Sequence, residues 1–401
     1  MRLTEKEQAM LNGEMGPGFA RAMRVLVGIG KAFGAERMVP ISRGHISLSN
    51  QEGDLWFVSK LLEEQAHCMV PPTVNPAYDY EYFKTISKLD EENERTLKST
   101  IDVYRKLGAI LTFDCTPFFV PRFGEICSFS ASGGAVYVNS VLGARTNREA
   151  AQSAMCAAIT GVTPEYGLLL EQNRAGDVLI QVEADVDSEY DYELLGYITP
   201  KKMGQAYHCP VFNGLSKQTT SEQLMDLGTQ LNIHGIVPMF HVVGVTPEAA
   251  DVHTAFLGRK DPPVVTITNE DLAQARAEIS AGTGKADFCI LGCPHLTINQ
   301  VGSIAKMLDG QQLAGQLYIF TSTSTKELAQ RMGYLDIIHK AGGEIVINSC
   351  VDQPCWSHLY GMSGVTESPK CAYYTKRWNM TFTVKSIPAC IQSVLKGEIV
   401  S

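Results

Sequence analysis

Hydrophobic positions recur at helical spacing in some stretches of the chain and form short, continuous runs in others. Thr4 and Glu7 form the signature of a capping box ahead of the first helical stretch, and apolar residues then repeat every three or four positions from Phe19 to Phe33. Helical patterns also cover 53–66, 90–108, 150–160, 191–198, 221–231, 270–280, 298–308, 326–332 and 334–341. Strand-like runs lie at 37–41, 67–72, 109–113, 177–186, 237–243, 286–291, 317–321 and 344–348. This alternation predicts an α/β fold of layered domains with mostly parallel sheets.

The length of the chain indicates more than one hydrophobic core. With 401 residues, the chain exceeds the size at which a single core stops growing. The strand and helix pattern becomes more regular after residue 269. We therefore predict an N-terminal α/β region over 1–269, which contains an anion-binding segment, and a C-terminal α/β unit over 270–401.

Charge and hydropathy exclude two classes of partner. The 34 basic and 43 acidic residues give a net charge of −9, whereas a general nucleic-acid-binding surface would be basic. The N-terminus has no apolar core of a signal peptide, and no window reaches the roughly 18 unbroken apolar residues of a membrane span. We expect a cytoplasmic protein with no membrane partner. Disulfides are rare in that compartment, so the eleven cysteines are expected to be core residues, reactive thiols or metal ligands.

Three of these cysteines come directly after predicted strands. Cys115, Cys293 and Cys350 occupy such positions, and ligands of open α/β sheets bind beyond the carboxyl ends of the strands. Three thiolates leave an open coordination position on a metal or cluster, and Cys355 is a possible fourth ligand. The other cysteines are interpreted as packing residues. Because the chain has no C-x-x-C repeat, spacing alone leaves open whether the three thiols bind metal or lie in the core.

A second candidate site is a polar run in the middle of the chain. Amide, hydroxyl and guanidinium groups suited to binding a carboxylate or phosphate are concentrated at Asn139, Ser140, Arg145, Asn147 and Arg148. The same composition is also typical of a turn with two solvated arginines. His45 lies within the polar segment 42–50, where it is either a structural histidine or part of a polar pocket.

Several longer motifs carry a resemblance to a known family. The chain resembles the large subunit of aconitase X, a family that includes phosphomevalonate dehydratase and cis-3-hydroxy-L-proline dehydratase. The resemblance covers nearly the whole chain and rests on the run from Cys115 to Phe118, NSVLGARTNRE (139–149), TPEYGLLLEQNR (163–174), FHVVGVTPEA (240–249), LGCPH (291–295), AGGEIV (341–346) and SPKCAYY (368–374).

This resemblance implies a fold, a cofactor and a partner. The fold is aconitase-like without the swivelling small domain, so a separate small subunit that supplies the catalytic base is expected. An iron–sulfur cluster, of the 4Fe–4S, 3Fe–4S or 2Fe–2S type, is expected on Cys115, Cys293 and Cys350. The residues expected to bind substrate are His45, Asn139, Ser140, Arg145, Asn147, Arg148 and Lys370.

The activity implied is the removal of water from a small 3-hydroxy acid, with mevalonate 5-phosphate as the first expectation. The alternatives are a cis-3-hydroxy-L-proline dehydratase, a non-catalytic iron–sulfur protein of the same fold, or a plain α/β protein with core cysteines. The chain departs from the family pattern at 131–134, where an acid-bearing run is replaced by Ala-Ser-Gly-Gly, and in the run that follows Cys350.

Overall fold

Short, mostly parallel β-strands flanked by helices make up the chain. The computed structural model describes residues 1–48, 51–115, 120–204, 206–280 and 282–400. Across these residues the strands form four sheets, and the single antiparallel pairing between strands is that of Met38–Pro40 with Val162–Pro164. Residues 49 and 50 of the polar segment and residues 116–118 of the first family motif lie outside the described residues.

The first part of the chain packs helices around a three-stranded parallel sheet. Its elements are α1 (Glu5–Asn12), α2 (Pro17–Ala32), β1 (Met38–Pro40), β2 (Arg43–Ile46), α3 (Glu52–Glu63), β3 (Thr73–Val74), α4 (Tyr80–Phe83), α5 (Glu91–Leu107), β4 (Cys127–Phe129), α6 (Ser132–Ser140), α7 (Ala151–Thr160) and β5 (Val162–Pro164). The sheet order is β3-β2-β4, and α7 is buried against α2 and β2. The predicted capping box at Thr4 is confirmed, and Gly108 ends α5 in the left-handed conformation.

The second part is a four-stranded parallel sheet with helices packed on it. Its elements are β6 (Val178–Val182), α8 (Glu189–Met203), β7 (Pro210–Asn213), α9 (Ser221–Gly235), β8 (His241–Val242), α10 (Val252–Ala255), β9 (Val264–Ile267) and α11 (Asn269–Ile279). The sheet order is β8-β7-β6-β9. Helices α8 and α9 pack closely, and the apolar side chains between them and the sheet form a separate core.

The third part is a five-stranded parallel sheet in the order β12-β11-β10-β13-β14. Its elements are β10 (Phe288–Leu291), α12 (Ile298–Leu308), β11 (Gln316–Phe320), α13 (Thr323–Arg331), α14 (Tyr334–Ala341), β12 (Gly343–Val346), β13 (Ser363–Thr366), α15 (Pro369–Thr375), β14 (Thr381–Val384) and α16 (Ile387–Lys396). The predicted α/β class with mostly parallel sheets is confirmed. The helices predicted at 298–308 and 334–341 begin and end at the predicted residues. The division of the chain at residue 269 stays a prediction.

Two predicted strands are wrong. The runs 67–72 and 109–113 form no strand; Ile110 makes only an isolated bridge to Thr73. Alternate residues of both runs pack against the core, but the backbone N–H groups of 68–70 donate to the ends of α5 and α7, and 109–113 makes only one bridge to β3. Cys115 therefore follows a loop, whereas Cys293 and Cys350 do follow strands β10 and β12. Among the described residues, no helix is both long and apolar enough to cross a membrane.

Candidate active site

The three predicted cluster cysteines face one cavity of about 270 Å³. It lies where the loops that follow β10 and β12 meet the loop of Cys115 and the start of α6. We call it the cysteine cavity. The side chains that line it and can bind or react include Ser47, Asn75, Cys115, Ser130, Ser132, Arg148, Cys293, His295, Cys350, Asp352, Lys370 and Tyr374. Three thiols that are 178 and 57 residues apart in the sequence are thus brought to one site by the fold.

Cys293 is held by the segment that follows the neighbouring strand β13. Glu367 accepts hydrogen bonds at Oε1 from the N–H groups of Gly292 and Cys293, at 2.7 and 3.3 Å. Ser368 Oγ donates to the carbonyl oxygen of Cys293 at 2.6 Å. Gly292 has φ +108°, and a Cβ there would lie 2.2 Å from the carbonyl oxygen of Phe320, so glycine is required at this position. The backbone of the Cys293 loop is therefore fixed on both sides.

Backbone N–H groups point at the other two sulfurs. The N–H of His295 donates to Cys115 Sγ at 3.1 Å, and that of Asp352 lies 3.5 Å from Cys350 Sγ. The N–H of Cys350 itself donates to the carbonyl oxygen of Ala77, 2.9 Å away. Hydrogen bonds of this kind stabilise a thiolate and are among the groups that tune metal–sulfur centres.

Without a metal, these cysteines are protonated thiols. Burial raises the pKa of Cys115 to about 12 and also raises the pKa of Cys293 and of Cys350. Burial, the largest influence, would lower the pKa of Lys370, but the negative charge that Cys293, Tyr374, Cys115 and Cys350 can carry raises it above its ordinary value. A cation that displaces the thiol protons would therefore gain three anionic ligands in a buried setting.

Asp114 and His295 are two further groups that could hold a metal ion beside Cys115, and the sequence analysis missed both. One ligand atom each from Asp114, Cys115 and His295 lie within 4.8 Å of one another. His295 Nε2 donates to the carbonyl oxygen of Ser349 at 2.9 Å, and its Nδ1 lies 3.3 Å from Asp114 Oδ1 without a hydrogen bond to any described residue. The sequence could have indicated both residues, because Asp114 immediately precedes Cys115 and His295 follows Cys293 by two residues.

Of the seven residues expected to bind substrate, Lys370 and Arg148 line the cavity. Lys370, in the first turn of α15, donates from Nζ to Ser132 Oγ at 3.1 Å and lies among the thiols. Arg148 is exposed at the rim. The departure from the family pattern is also here, since Ala131 and Gly133 line the cavity and offer no carboxylate.

Asn139 and Ser140 lie elsewhere, in a buried hydrogen-bond network. Asn139 accepts from the N–H of Thr146 and donates to its carbonyl oxygen, and Ser140 Oγ accepts from the N–H of Phe240. Arg174 donates from its guanidinium to Glu248, to both the side-chain and backbone oxygens of Asn139, and to the carbonyl oxygen of Leu168. We call Asn139, Arg174, His241 and Glu248 the Arg174 junction.

Arg145 and Asn147 are likewise bonded to backbone. Arg145 Nη1 donates to the carbonyl oxygen of Leu169 at 3.0 Å. The Asn147 amide donates to the carbonyl oxygen of Tyr166 and accepts from the N–H of Leu168. Neither residue lines the cysteine cavity, and nor do Asn139 and Ser140. A substrate-binding role for these four residues stays a prediction with no support from their contacts.

His45 and Cys355 lie behind the cavity wall. His45 is fully buried and contacts Asn75, which does line the cavity. Cys355 is also fully buried, in the core beside Trp356, and is absent from the lining. Cys289 lies in the middle of β10 and is a core residue, as predicted.

A larger cleft of about 1220 Å³ meets the cysteine cavity at Met225, Pro294 and His295. Several of its carboxyl groups are buried. Burial, followed by the mutual repulsion of the acids, raises the pKa of Glu193 and of Asp226 well above their ordinary values. These two groups are therefore neutral over a range of pH in which exposed acids are charged.

Comparison with known proteins decides the family. Family models of the first, second and third domains of aconitase X match residues 1–172, 176–277 and 286–396. The chain belongs to the aconitase X family. It is 33% identical to the phosphomevalonate dehydratase large subunit of Thermococcus kodakarensis, over 98% of this chain and 99% of that protein. A crystal structure of aconitase X from the same organism, in its holo-form, superposes with a TM-score of 0.87 at 31% identity, over 98% of this chain and all of that one.

Other members of the family are longer than this chain. The cis-3-hydroxy-L-proline dehydratase of Pseudomonas aeruginosa is 32% identical over 88% of this chain but only 63% of its own length. That of Hypocrea jecorina is 26% identical over 99% of this chain and 69% of its own length. Both kinds of relative are named dehydratases, and this member of the family is accordingly a hydro-lyase.

Proposed function

We propose that this chain is the large subunit of a two-subunit dehydratase that removes water from mevalonate 5-phosphate or a closely related 3-hydroxy acid. The observation that carries the proposal is the cysteine cavity, in which three thiols, a half-buried lysine and a rim arginine face the same space. The curated relatives that match this chain over nearly their whole length are phosphomevalonate dehydratase large subunits, which supports the same substrate.

The donor set fits an iron–sulfur cluster. Cys115, Cys293 and Cys350 would hold it, since they are free, share one cavity and receive backbone N–H groups on two of their sulfurs. When bound, the cluster would supply a Lewis acid for the leaving hydroxyl group.

The cations of the cavity suit a substrate with two anionic groups. Lys370 is half-buried in the cavity that the thiols line, so a carboxylate bound to it would lie close to the cysteine sulfurs. Arg148 lies at the rim, where a guanidinium can bind a phosphate in a bidentate manner. Together they neutralise the substrate and orient it with one end in the cavity and the other towards solvent.

We infer that the proton-abstracting base comes from a partner subunit. The relatives named hydroxyproline dehydratases extend about a third beyond the region that this chain matches, whereas the two-subunit relatives match end to end. The extra third corresponds in size to a further domain, and the name of the large-subunit relatives implies a second chain that would supply it. The large cleft beside His295 leaves room for such a domain to approach the cysteine cavity.

One observation favours the second candidate, cis-3-hydroxy-L-proline. Asp352 lines the cavity, and a carboxylate at this place can pair with the ring ammonium of a cyclic amino acid. Asp352 already has a partner in Arg377 at 2.6 Å, and burial raises its pKa, so it is a weaker anion than an exposed acid. We therefore keep mevalonate 5-phosphate as the first substrate.

The test is turnover by the anaerobically purified chain together with its small subunit. We expect dehydration of mevalonate 5-phosphate by the complex and little or none by the large chain alone. Preferential turnover of cis-3-hydroxy-L-proline would replace the substrate, and full activity of the isolated large chain would place the base in this chain and remove the partner from the mechanism.

A further inference from the structure

The wall of the larger cleft contains two buried acids that the proposed function does not use. Glu193 lies in α8 and Asp226 in α9, and both line the cleft but not the cysteine cavity. The two residues are 2% and 8% exposed, so their carboxyl groups lie at the closed side of the cleft and not at its rim. We call them the acid pair.

Close packing of two helices brings the acids together. Helices α8 and α9 approach each other at Gly196, where a Cβ would lie 2.7 Å from the carbonyl oxygen of Leu227. Glu193 lies one turn before Gly196, and Asp226 immediately precedes Leu227. Each acid is therefore within one helical turn of the contact, and both face the same cleft.

The acid pair has no cation of its own. Glu193 Oε1 is buried and has no hydrogen-bond partner among the described residues, although buried polar groups normally find one. Two basic side chains, Arg276 and Lys385, line the cleft. Arg276 pairs with Asp191 at 3.3 Å, and Lys385 forms no ion pair with either acid. A buried carboxylate oxygen that faces a cleft without a partner indicates that the partner comes from another molecule.

The acids also lower the stability of the chain. Burial is the largest cause that raises the pKa of both groups, followed for Glu193 by the charge of Asp226 and for Asp226 by that of Glu189. A carboxyl group with a higher pKa in the folded than in the unfolded chain lowers the free energy of unfolding at every pH above its unfolded pKa. At neutral pH the pair is therefore destabilising unless a cation is bound next to it.

A basic side chain suits this place better than a free metal ion. Among the described residues, the one group of three side chains close enough to share a metal ion is Asp114, Cys115 and His295, which does not include the acid pair. A free ion would have to lose most of its water to reach carboxyl groups that are almost closed to solvent. Lysine and arginine carry the charge on a narrow stem, and a guanidinium can bond to two carboxylates at once. With about 1220 Å³, the cleft is also larger than most small-molecule pockets and can admit a protein segment.

We propose that the acid pair binds an arginine or lysine side chain of the small subunit, which docks in the larger cleft. The identity of the partner as the small subunit rests on the proposed function. Because the cleft meets the cysteine cavity at His295, a subunit held at the acid pair would lie beside the site of the reaction. The inserted cation would turn two acids that are neutral in the free chain into charged partners.

The first test measures the association of the two subunits without substrate. Glu193→Gln and Asp226→Asn keep the size of each side chain and remove its charge. We expect each to raise the Kd of the complex roughly 10- to 150-fold, which is the value of a hydrogen bond to a charged group. Isothermal titration calorimetry of the anaerobically purified subunits provides the measurement.

Asp191→Asn is the matched control for this test. It removes a charge from the same cleft wall, but Asp191 already has a partner in Arg276, so the Kd should stay within about twofold of wild type. A Kd within twofold of wild type for both Glu193→Gln and Asp226→Asn would overturn the proposal. Equal weakening by Asp191→Asn would assign the effect to the overall negative charge of the cleft and overturn it as well.

The melting temperature of the isolated large chain distinguishes binding from a structural role. Since the pair is destabilising at neutral pH, Glu193→Gln should melt at the same temperature as wild type or higher, although its complex is weaker. A lower melting temperature would show that the pair supports the fold and would overturn the proposal. So would a metal site, seen as a rise in the melting temperature of the wild-type chain with MgCl₂, CaCl₂ or KCl that Glu193→Gln lacks.

The partner side chain can be identified by replacing each arginine and lysine of the small subunit with glutamine. One replacement should weaken the complex with the wild-type large chain and have little further effect with Glu193→Gln. Additive effects for every replacement would overturn the proposal, and so would a small subunit that does not bind the wild-type chain. If the complex forms but dehydrates neither substrate, the proposed function fails, while the Kd values still decide whether the acid pair binds the small subunit.

Discussion

The Arg174 junction and the cysteine cavity are both rich in charged and polar side chains, yet they differ in how these groups are satisfied. The Arg174 guanidinium, 3% exposed, donates to oxygens of three residues. In the cavity, the sulfurs receive few hydrogen bonds, and His295 Nδ1 has no hydrogen bond to the described residues. His241 Nδ1 at the junction has none either, but His241 lines neither the cysteine cavity nor the larger cleft. Buried polar groups normally find protein partners, so a set of groups that lacks them and faces a cavity indicates a ligand. We therefore interpret the junction as a structural element and propose the cavity as the binding site.

The largest expected effect is the loss of the cluster when one cavity thiol is removed. Cys293→Ser, Cys115→Ser and Cys350→Ser should each yield colourless protein with little iron and no dehydratase activity, because each removes one of three sulfur ligands. Visible absorption and iron and sulfide analysis after anaerobic purification provide the measurement. Cys156→Ala is the control, since Cys156 is fully buried in α7 and has no place in the cavity. A brown Cys293→Ser protein would show that the cavity is not the cluster site.

Mutation of the Arg174 junction should lower the free energy of unfolding and leave the cluster unchanged. Arg174→Met leaves Glu248 without its buried partner, and breaking such a pair costs about 3–5 kcal/mol of unfolding free energy. Urea unfolding would measure this loss, and the folded fraction should keep its cluster absorption. Arg37→Met is the control, because the Arg37–Glu165 pair is exposed on the arginine side and should contribute little. Equal losses for the two variants would contradict the distinction between junction and surface.

The sequence analysis located the cysteine cavity more accurately than it interpreted the motif NSVLGARTNRE. Cys293 and Cys350 could be placed because a strand followed by a ligand is a local pattern, and the parallel sheet brings such ends together. The motif NSVLGARTNRE has the composition of an anion-binding site. In the structure, however, Asn139 accepts from the buried guanidinium of Arg174, and Arg145 donates to the carbonyl oxygen of Leu169, both of which come later in the chain. No local pattern reveals those partners.

Three further features were beyond local patterns for physical reasons. The strands β13 and β14 were not predicted, since four-residue strands with Gly, Ser and Thr carry little hydrophobic signal. The segment 109–113, which precedes Cys115, was predicted as a strand because its apolar residues pack against the core, although it makes only an isolated bridge. The role of Glu367 also required the fold, because it contacts the Cys293 loop only through the pairing of β13 with β10.

Two arginine variants within the motif NSVLGARTNRE test whether only the arginine that lines the cavity affects catalysis. Arg148→Lys keeps the charge at the cavity rim but loses the bidentate geometry, so we expect kcat/KM to fall about 10-fold. Arg145→Lys alters a bond to the carbonyl oxygen of Leu169 and should keep its kcat/KM while its melting temperature falls slightly. Steady-state kinetics of the two-subunit enzyme provide the measurement. Impaired kinetics in Arg145→Lys with unchanged kinetics in Arg148→Lys would reverse the assignment of the motif.

The smallest effect is expected at Cys355. Its substitution tests whether this thiol is a core residue or a ligand like the one expected at Cys350, five residues earlier. Cys355 is fully buried beside Trp356, outside the cavity lining, and burial raises the pKa of its thiol well above its ordinary value. Cys355→Ala removes one buried atom and should lower the unfolding free energy by about 1 kcal/mol, the cost of a small void in a packed core. Its visible spectrum and iron content should equal those of wild type, because three other sulfurs face the cavity. If Cys355→Ala lost colour while keeping its stability, Cys355 would be a fourth ligand and the cavity would have to rearrange when the cluster binds.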